Sequence, residues 1–232
     1  MIVDDEHRKF LLSSVAFYKA LNDVDRTRFE QNCALFIDAT DFIGHRTEVN
    51  DQDKLLVAAG SVILAWGFER WAYVKVGTVY LLASTEDFPD TGSSEFMAVQ
   101  GMVGNGHLTG KMILSKAALH YGFSNSRDKL NVALHEFAHL IDMADHEVDG
   151  LPEEIVGQAF IVPWLNLVEQ EIEKIERGDS NIRAYGAVNR AEFFAVVTEY
   201  FFERPEMLKR KSPELYDLLE RFYQQNLASE VV

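Results

Sequence analysis

Residues 131–142 read Asn131-Val132-Ala133-Leu134-His135-Glu136-Phe137-Ala138-His139-Leu140-Ile141-Asp142. The apolar positions around the polar ones predict a buried helix, and His135 to His139 spell the pattern H-E-x-x-H. In a helix, positions four apart sit one above the other, so both imidazoles face the same way and can reach one metal ion. Zinc accepts neutral histidine nitrogen readily. Glu136 projects beside that face, where a carboxylate can take a proton from an attacking water and return it to a leaving amine. Two histidines and a glutamate are costly to bury in an apolar helix unless something pairs them. That cost favours a metal site over a helix of ordinary core or surface histidines.

Catalytic zinc keeps three protein ligands and an open position. The longer pattern H-E-x-x-H-x-x-G-x-x-H would require Gly at 142 and a ligand at 145, but residue 142 is Asp. Asp145 remains a candidate, and His146 stands one position late. The other answer is a glutamate from a later helix. Glu192 precedes the apolar run Phe193 to Val197 and so heads a buried helix, and Glu199, two turns further on, is the second candidate on that face. Asn189 and Glu192 also have capping-box spacing, which gives Glu192 a local role that needs no metal. Asp142, three positions after His139, either accepts an imidazole N–H and fixes its tautomer or is a plain helix-surface aspartate.

Upstream of the motif, Phe10, Leu11, Val15, Phe17 and Tyr18, then Phe29, Cys33, Phe36 and Ile37, recur at helical spacing. A third helix is expected from Asp51, as N-cap, to Trp66. The middle changes character: Tyr73–Val76, Thr78–Leu82, Glu95–Val103 and Lys111–Ser115 read as strands, punctuated by Gly77, Gly101, Gly104, Gly106 and Gly110. Downstream, helices are expected over about 128–144, 152–177, 190–203 and 212–227, with Asn189 capping the third and Ser212-Pro213 opening the fourth. The expected fold is a mostly helical α+β domain with a small mixed or antiparallel sheet. It is read as one domain over 1–232, with N-terminal helices in 1–70, the sheet in 71–115 and the zinc-binding helical part in 128–232. Lys111–Ser115 is the candidate edge strand for a peptide substrate, an internal strand being the alternative. His107 and His120 read as loop or surface histidines.

The formal charge of −15 repels phosphate backbones and anionic lipid, which argues against nucleic acid and membrane surfaces as partners. Lys209-Arg210-Lys211 reads as a solvated helix end. A single cysteine, Cys33, cannot form an internal disulfide, and its apolar neighbours make it a core residue. The acidic start lacks the basic flank and apolar stretch of a signal peptide, so a soluble, cytoplasmic protein is expected.

His135 through Asp142, then Asp149-Gly150-Leu151-Pro152, then Tyr185 through Phe194 resemble the Mlc titration factor A family of zinc-dependent peptidases. The same pieces resemble the catalytic domain of anthrax lethal factor. A looser likeness runs through Phe17-Tyr18, Arg28-Phe29-Glu30 and Ala58 to Trp71, so the resemblance covers most of the chain, while its specific motifs lie in 131–204. It implies a zincin-like metallopeptidase domain of the gluzincin type. His135, His139 and Glu192 would bind one Zn2+ per chain, Glu136 would act as general base, and Tyr185, seven positions before Glu192, would stabilise the transition state. It also implies aminopeptidase-like activity on a peptide or protein substrate. A transcriptional repressor is a partner by resemblance alone, since nothing in the sequence marks a surface for it. The rival reading is a non-catalytic regulator that uses the zinc fold to bind another protein. Both readings keep His135 and His139, and only the enzyme needs Glu136.

Overall fold

The computed structural model describes residues 1–68, 76–84, 101–103, 109–145, 147–151 and 158–228. The strand expected at Tyr73–Lys75, residues 95–100, Gly104, Gly106, His107, His146, the start of the helix expected from 152 and the side chain of Asp145 lie outside them. The chain divides into two compact units, Met1–Ile63 with Lys75–Asn125 and Asn131–Glu136, and Leu64–Val74 with Ser126–Leu130 and Phe137–Val232.

The first unit opens with α1 (Asp5–Ser14), α2 (Ala16–Ala20) and α3 (Asp23–Asp38). Asp4 caps α1 and Asn22 caps α3 by accepting from the free amides of the first turn. Leu11, Val15, Tyr18, Phe29 and Cys33 are buried between these helices. Among them sits the buried Glu30, which accepts from the Tyr18 hydroxyl at 2.6 Å and from Arg8 Nε at 3.1 Å. A buried carboxylate is tolerated when it is paired in this way. Burial, reinforced by the Glu30 charge, pushes the Cys33 thiol well up, as expected of a core residue.

The sheet is mixed, in the order β1-β2-β4-β3, from β1 (Asp41–His45), β2 (Thr78–Leu82), β3 (Gly101–Val103) and β4 (Lys111–Ser115). β1 pairs parallel with β2 and β2 parallel with β4, while β3 runs antiparallel to β4 with Gly101 opposite Leu114. Lys111–Ser115 is therefore internal, and among the described residues β1 and β3 occupy the edges. α4 (Asp51–Ala65) joins β1 to β2, the crossover that parallel neighbours require. Its cap is Asn50, not Asp51: Asn50 Oδ1 accepts from Asp53 N at 3.0 Å and Asp53 Oδ2 accepts from Asn50 N at 2.9 Å. Asp53 is fully buried and also meets Lys116 Nζ at 2.8 Å and His120 Nε2 at 2.7 Å. Burial alone would raise its pKa, but bonds from His120, the Asn50 amide and Lys116 prevail and hold it low. These contacts tie α5 (Lys116–Ser124) to the start of α4, so His120 is a structural partner of an aspartate.

The second unit holds α7 (Gln158–Glu176), α8 (Arg190–Glu203), α9 (Pro205–Lys211) and α10 (Pro213–Tyr223). Ten of the fourteen residues of α8 are buried. Phe194 meets Trp164, Phe222 and Tyr223 at ring-centroid distances of 5.9, 5.4 and 6.5 Å. Edge-to-face and offset contacts of this kind add about 0.5–1.5 kcal/mol each beyond area burial. Lys209, Arg210 and Lys211 form the last turn of α9, where positive charge complements the helix dipole. Ser212 stands at the start of α10, but its side chain makes no capping bond. Among the described residues, no helix is long and apolar enough to cross a membrane.

Candidate metal centre

One continuous helix, α6 (Val132–Asp142), carries the H-E-x-x-H residues, and a short 3-10 turn, Met143–Asp145, follows it. Asn131 starts the helix: its side-chain oxygen accepts from Leu134 N at 3.2 Å and its carbonyl from His135 N at 3.0 Å. Ala133, Phe137, Ala138 and Ile141 are fully buried and anchor one face. His135 and His139 are half-buried on the neighbouring face, and Glu136 is buried.

Glu192 lies in the first turn of α8. Asn189 Oδ1 accepts from the Glu192 amide at 2.8 Å, so the backbone half of the expected cap forms. The carboxylate goes elsewhere: Oε2 lies 3.5 Å from His139 Nε2. Charge-assisted N–H···O bonds run to about 2.7–2.9 Å. Two donors at about 2.1 Å from one tetrahedral zinc lie about 3.4 Å apart. The separation therefore suits two ligands of a shared ion better than a direct bond. Ligand atoms of His135, His139 and Glu192 all lie within 4.8 Å of one another, and two imidazoles with one carboxylate form a zinc-compatible donor set.

Among the described residues, neither Glu199 nor Asp142 belongs to this group. Glu199 is buried and forms an ion pair with Arg183 Nη2. That pair ties α8 to the chain just ahead of the 3-10 turn Ala184–Ala187, on which Tyr185 is half-buried. Asp142 is fully buried, and its Oδ2 accepts from Gly150 N at 3.0 Å.

Two glycines next to these elements were visible in the sequence only as punctuation or as part of a motif. A Cβ built on Gly101 would fall 2.6 Å from Cγ and Oε1 of Glu136, and one on Gly150 would fall 2.3 Å from the carbonyl oxygen of Arg190. A signal was available: Gly101 interrupts a stretch otherwise suited to a strand, which marks a close approach of backbone to something else.

A family model described as glucose-regulated metallo-peptidase M90 matches residues 2–224. An uncharacterised protein of Synechocystis sp. is 29% identical over 218 residues, covering 89% of this chain and 79% of that protein. Mlc titration factor A of Escherichia coli is 34% identical over 102 residues, 41% of this chain and 38% of that protein. The homologue of the same name from Shigella boydii gives the same figures. The match thus spans well under half of the Mlc titration factor A chains.

Proposed function

The chain belongs to the family of glucose-regulated metallo-peptidases M90, and on that premise we propose that it is a zinc-dependent peptidase of zincin-like fold and gluzincin type. The observation that carries this reading is the convergence of His135, His139 and Glu192 within 4.8 Å, with Glu136 next in sequence to the first of them. These three residues would hold one Zn2+ per chain. The bound ion would polarise the scissile carbonyl and acidify the attacking water.

Glu136 takes the proton from that water and delivers it to the leaving amine. Its burial excludes competing solvent from the transfer. The Tyr185 hydroxyl donates to the oxyanion as negative charge develops on the former carbonyl oxygen. Substrate is an extended peptide segment, and small amino-acid amides serve as probes because the resemblance points to aminopeptidase-like activity.

The test is hydrolysis of chromogenic amino-acid amides by the wild type, with and without chelator, and by Glu136→Gln. The amide preserves size and removes basicity, so zinc content and fold should persist while hydrolysis falls at least a hundredfold. Chelator-insensitive hydrolysis, or a Glu136→Gln protein as active as its parent, would refute the assignment.

A second reading has an observation in its favour: the Escherichia coli relatives are named for titrating Mlc. On that reading the chain binds a transcriptional regulator, and Glu136 is dispensable. Binding to such a regulator that survives Glu136→Gln, in a protein without hydrolytic activity, would select it.

A further inference from the structure

Among the described residues β3 is one of the two edge strands of the sheet, and its Gly101 lies against α6. Val132 and Glu136 are four apart on α6 and so share a face, and Gly101 sits on that face. A Cβ built there would lie 2.6 Å from Cγ and Oε1 of Glu136 and 2.7 Å from Cγ2 of Val132. Carbon atoms in contact prefer about 3.5–4.0 Å, so all three distances are far inside contact. The two neighbours differ in how they can respond. Val132 is β-branched and stiff in a helix, whereas Glu136 has a flexible side chain whose carboxylate can swing away. Gly101 has no left-handed φ that would demand glycine. What it supplies is the missing side chain.

We propose that Gly101 is a positioning residue for the proton-transferring carboxylate: the bare backbone of the edge strand leaves the space in which Glu136 stands beside the histidine face, and a side chain at 101 drives it out. This rests on the reading of Glu136 as general base. Gly101 acts through Glu136 and makes no chemical contribution of its own. The β3 backbone on one side and the helix on the other then confine the carboxylate to a narrow arc, which is how a base is held ready rather than left to wander.

The experiment separates the valine contact from the glutamate contact. In a Val132→Ala background the stiff neighbour is gone. Gly101→Ala is then introduced with Glu136 in place and, separately, together with Glu136→Ala, which removes Cγ and the carboxylate. With Glu136 present, Gly101→Ala should lower the thermal midpoint by about 3 °C or more, a shift of the size expected for a modest clash in a chain of this length. With Glu136→Ala the shift should vanish. In the active background, Gly101→Ala should reduce kcat at least tenfold while zinc content and KM stay unchanged, a split that a glycine needed only for folding would not produce.

Equal midpoint shifts in the two backgrounds would overturn the proposal, as would coupled midpoints with an unaltered kcat. If the parent hydrolyses nothing, the peptidase reading fails and the catalytic meaning of Gly101 fails with it. The midpoint cycle would still show whether Gly101 and Glu136 compete for the same space, so the two failures are distinguishable.

Discussion

The backbone N–H of Gly150 donates to Asp142 Oδ2 at 3.0 Å, while the carbonyl of the same glycine accepts from Trp164 Nε1 at 2.7 Å. Gly150 thereby joins the end of α6 to α7. It also presses on α8, since a Cβ there would lie 2.3 Å from the Arg190 carbonyl oxygen and 3.0 Å from Ala191 N. Its φ of +76° lies in the left-handed region that disfavours a side chain. One residue without a side chain thus meets the helix of His139 and the first turn of the helix of Glu192. Gly150→Ala should cost about 2–4 kcal/mol from backbone strain and overpacking together, and it should weaken zinc binding several-fold by shifting the turn that carries Glu192. Urea unfolding of the metal-free protein and zinc titration measure the two effects. Unchanged values in both would remove Gly150 from the support of the site.

Glu192 and Glu199 share a helix and should respond oppositely to removal. Glu192→Ala should abolish tight zinc binding with little loss of metal-free stability, because the Asn189 cap uses its backbone amide and not its carboxylate. Glu199→Ala should keep zinc but lower stability by about 3 kcal/mol, since it leaves Arg183 without its buried partner. Elemental analysis and denaturant unfolding on the two variants decide the matter. Zinc lost from Glu199→Ala and retained by Glu192→Ala would reverse the assignment.

What the sequence made legible follows from how strongly each segment is patterned. α6 and α8 are buried helices with polar residues at fixed offsets, and helical spacing alone brings the two histidines onto one face. That Glu192, and not Glu199, lies with the two histidines is not readable from periodicity, because both stand on the same face of the same helix. Arg183, 16 residues from Glu199 in the chain, is what occupies Glu199 in the fold. β1 has no sequence signature, because it is mostly exposed and carries Gly44 and His45, so no alternation of apolar and polar residues reveals it. α5 and α9 are short, at nine and seven residues, and brief helices are held by tertiary contacts more than by their own pattern. The edge position of β3 depends on strand order, which pairing across the sheet determines and local sequence does not.

Tyr185→Phe should lower kcat and kcat/KM alike by about a hundredfold or more while zinc content and KM stay near the parent values. A donor that meets only the developing oxyanion contributes in the transition state alone, and loss of one such donor costs roughly 3–4 kcal/mol. Steady-state kinetics on the best amide substrate measures it. An unchanged kcat would show that the phenol only packs in the turn before α8.

Glu203 offers a prediction about pH. Its Oε2 accepts from Leu130 N at 3.1 Å, just ahead of α6. Burial first, then the charges of Glu199 and Asp128, push this carboxyl up to about 8, against the opposing effect of the Lys129 and Leu130 amides. The nearby cations are engaged: Lys129 Nζ donates to the Asn181 carbonyl at 2.6 Å, Arg204 Nη1 to the Arg127 carbonyl at 2.9 Å, and Arg183 pairs with Glu199. An acid whose folded pKa is raised keeps its proton in the folded state over a range where the unfolded chain has released it. Stability therefore falls as pH rises from the ordinary glutamate range to about 8, and levels off above it. Glu203→Gln is neutral throughout and keeps an oxygen to accept from Leu130, so its stability should not show this decline. The gap between the two proteins should grow with pH to about 2–3 kcal/mol at most, because solvent screens a group that is not fully buried. The measurement is the thermal midpoint from about pH 5 to about pH 9 at fixed salt. It is made in chelator, because ligation by His135 and His139 carries a pH dependence of its own. Parallel curves for the wild type and Glu203→Gln would mean that Glu203 releases its proton in the ordinary range and that its bond to Leu130 holds an ionised carboxylate at neutral pH.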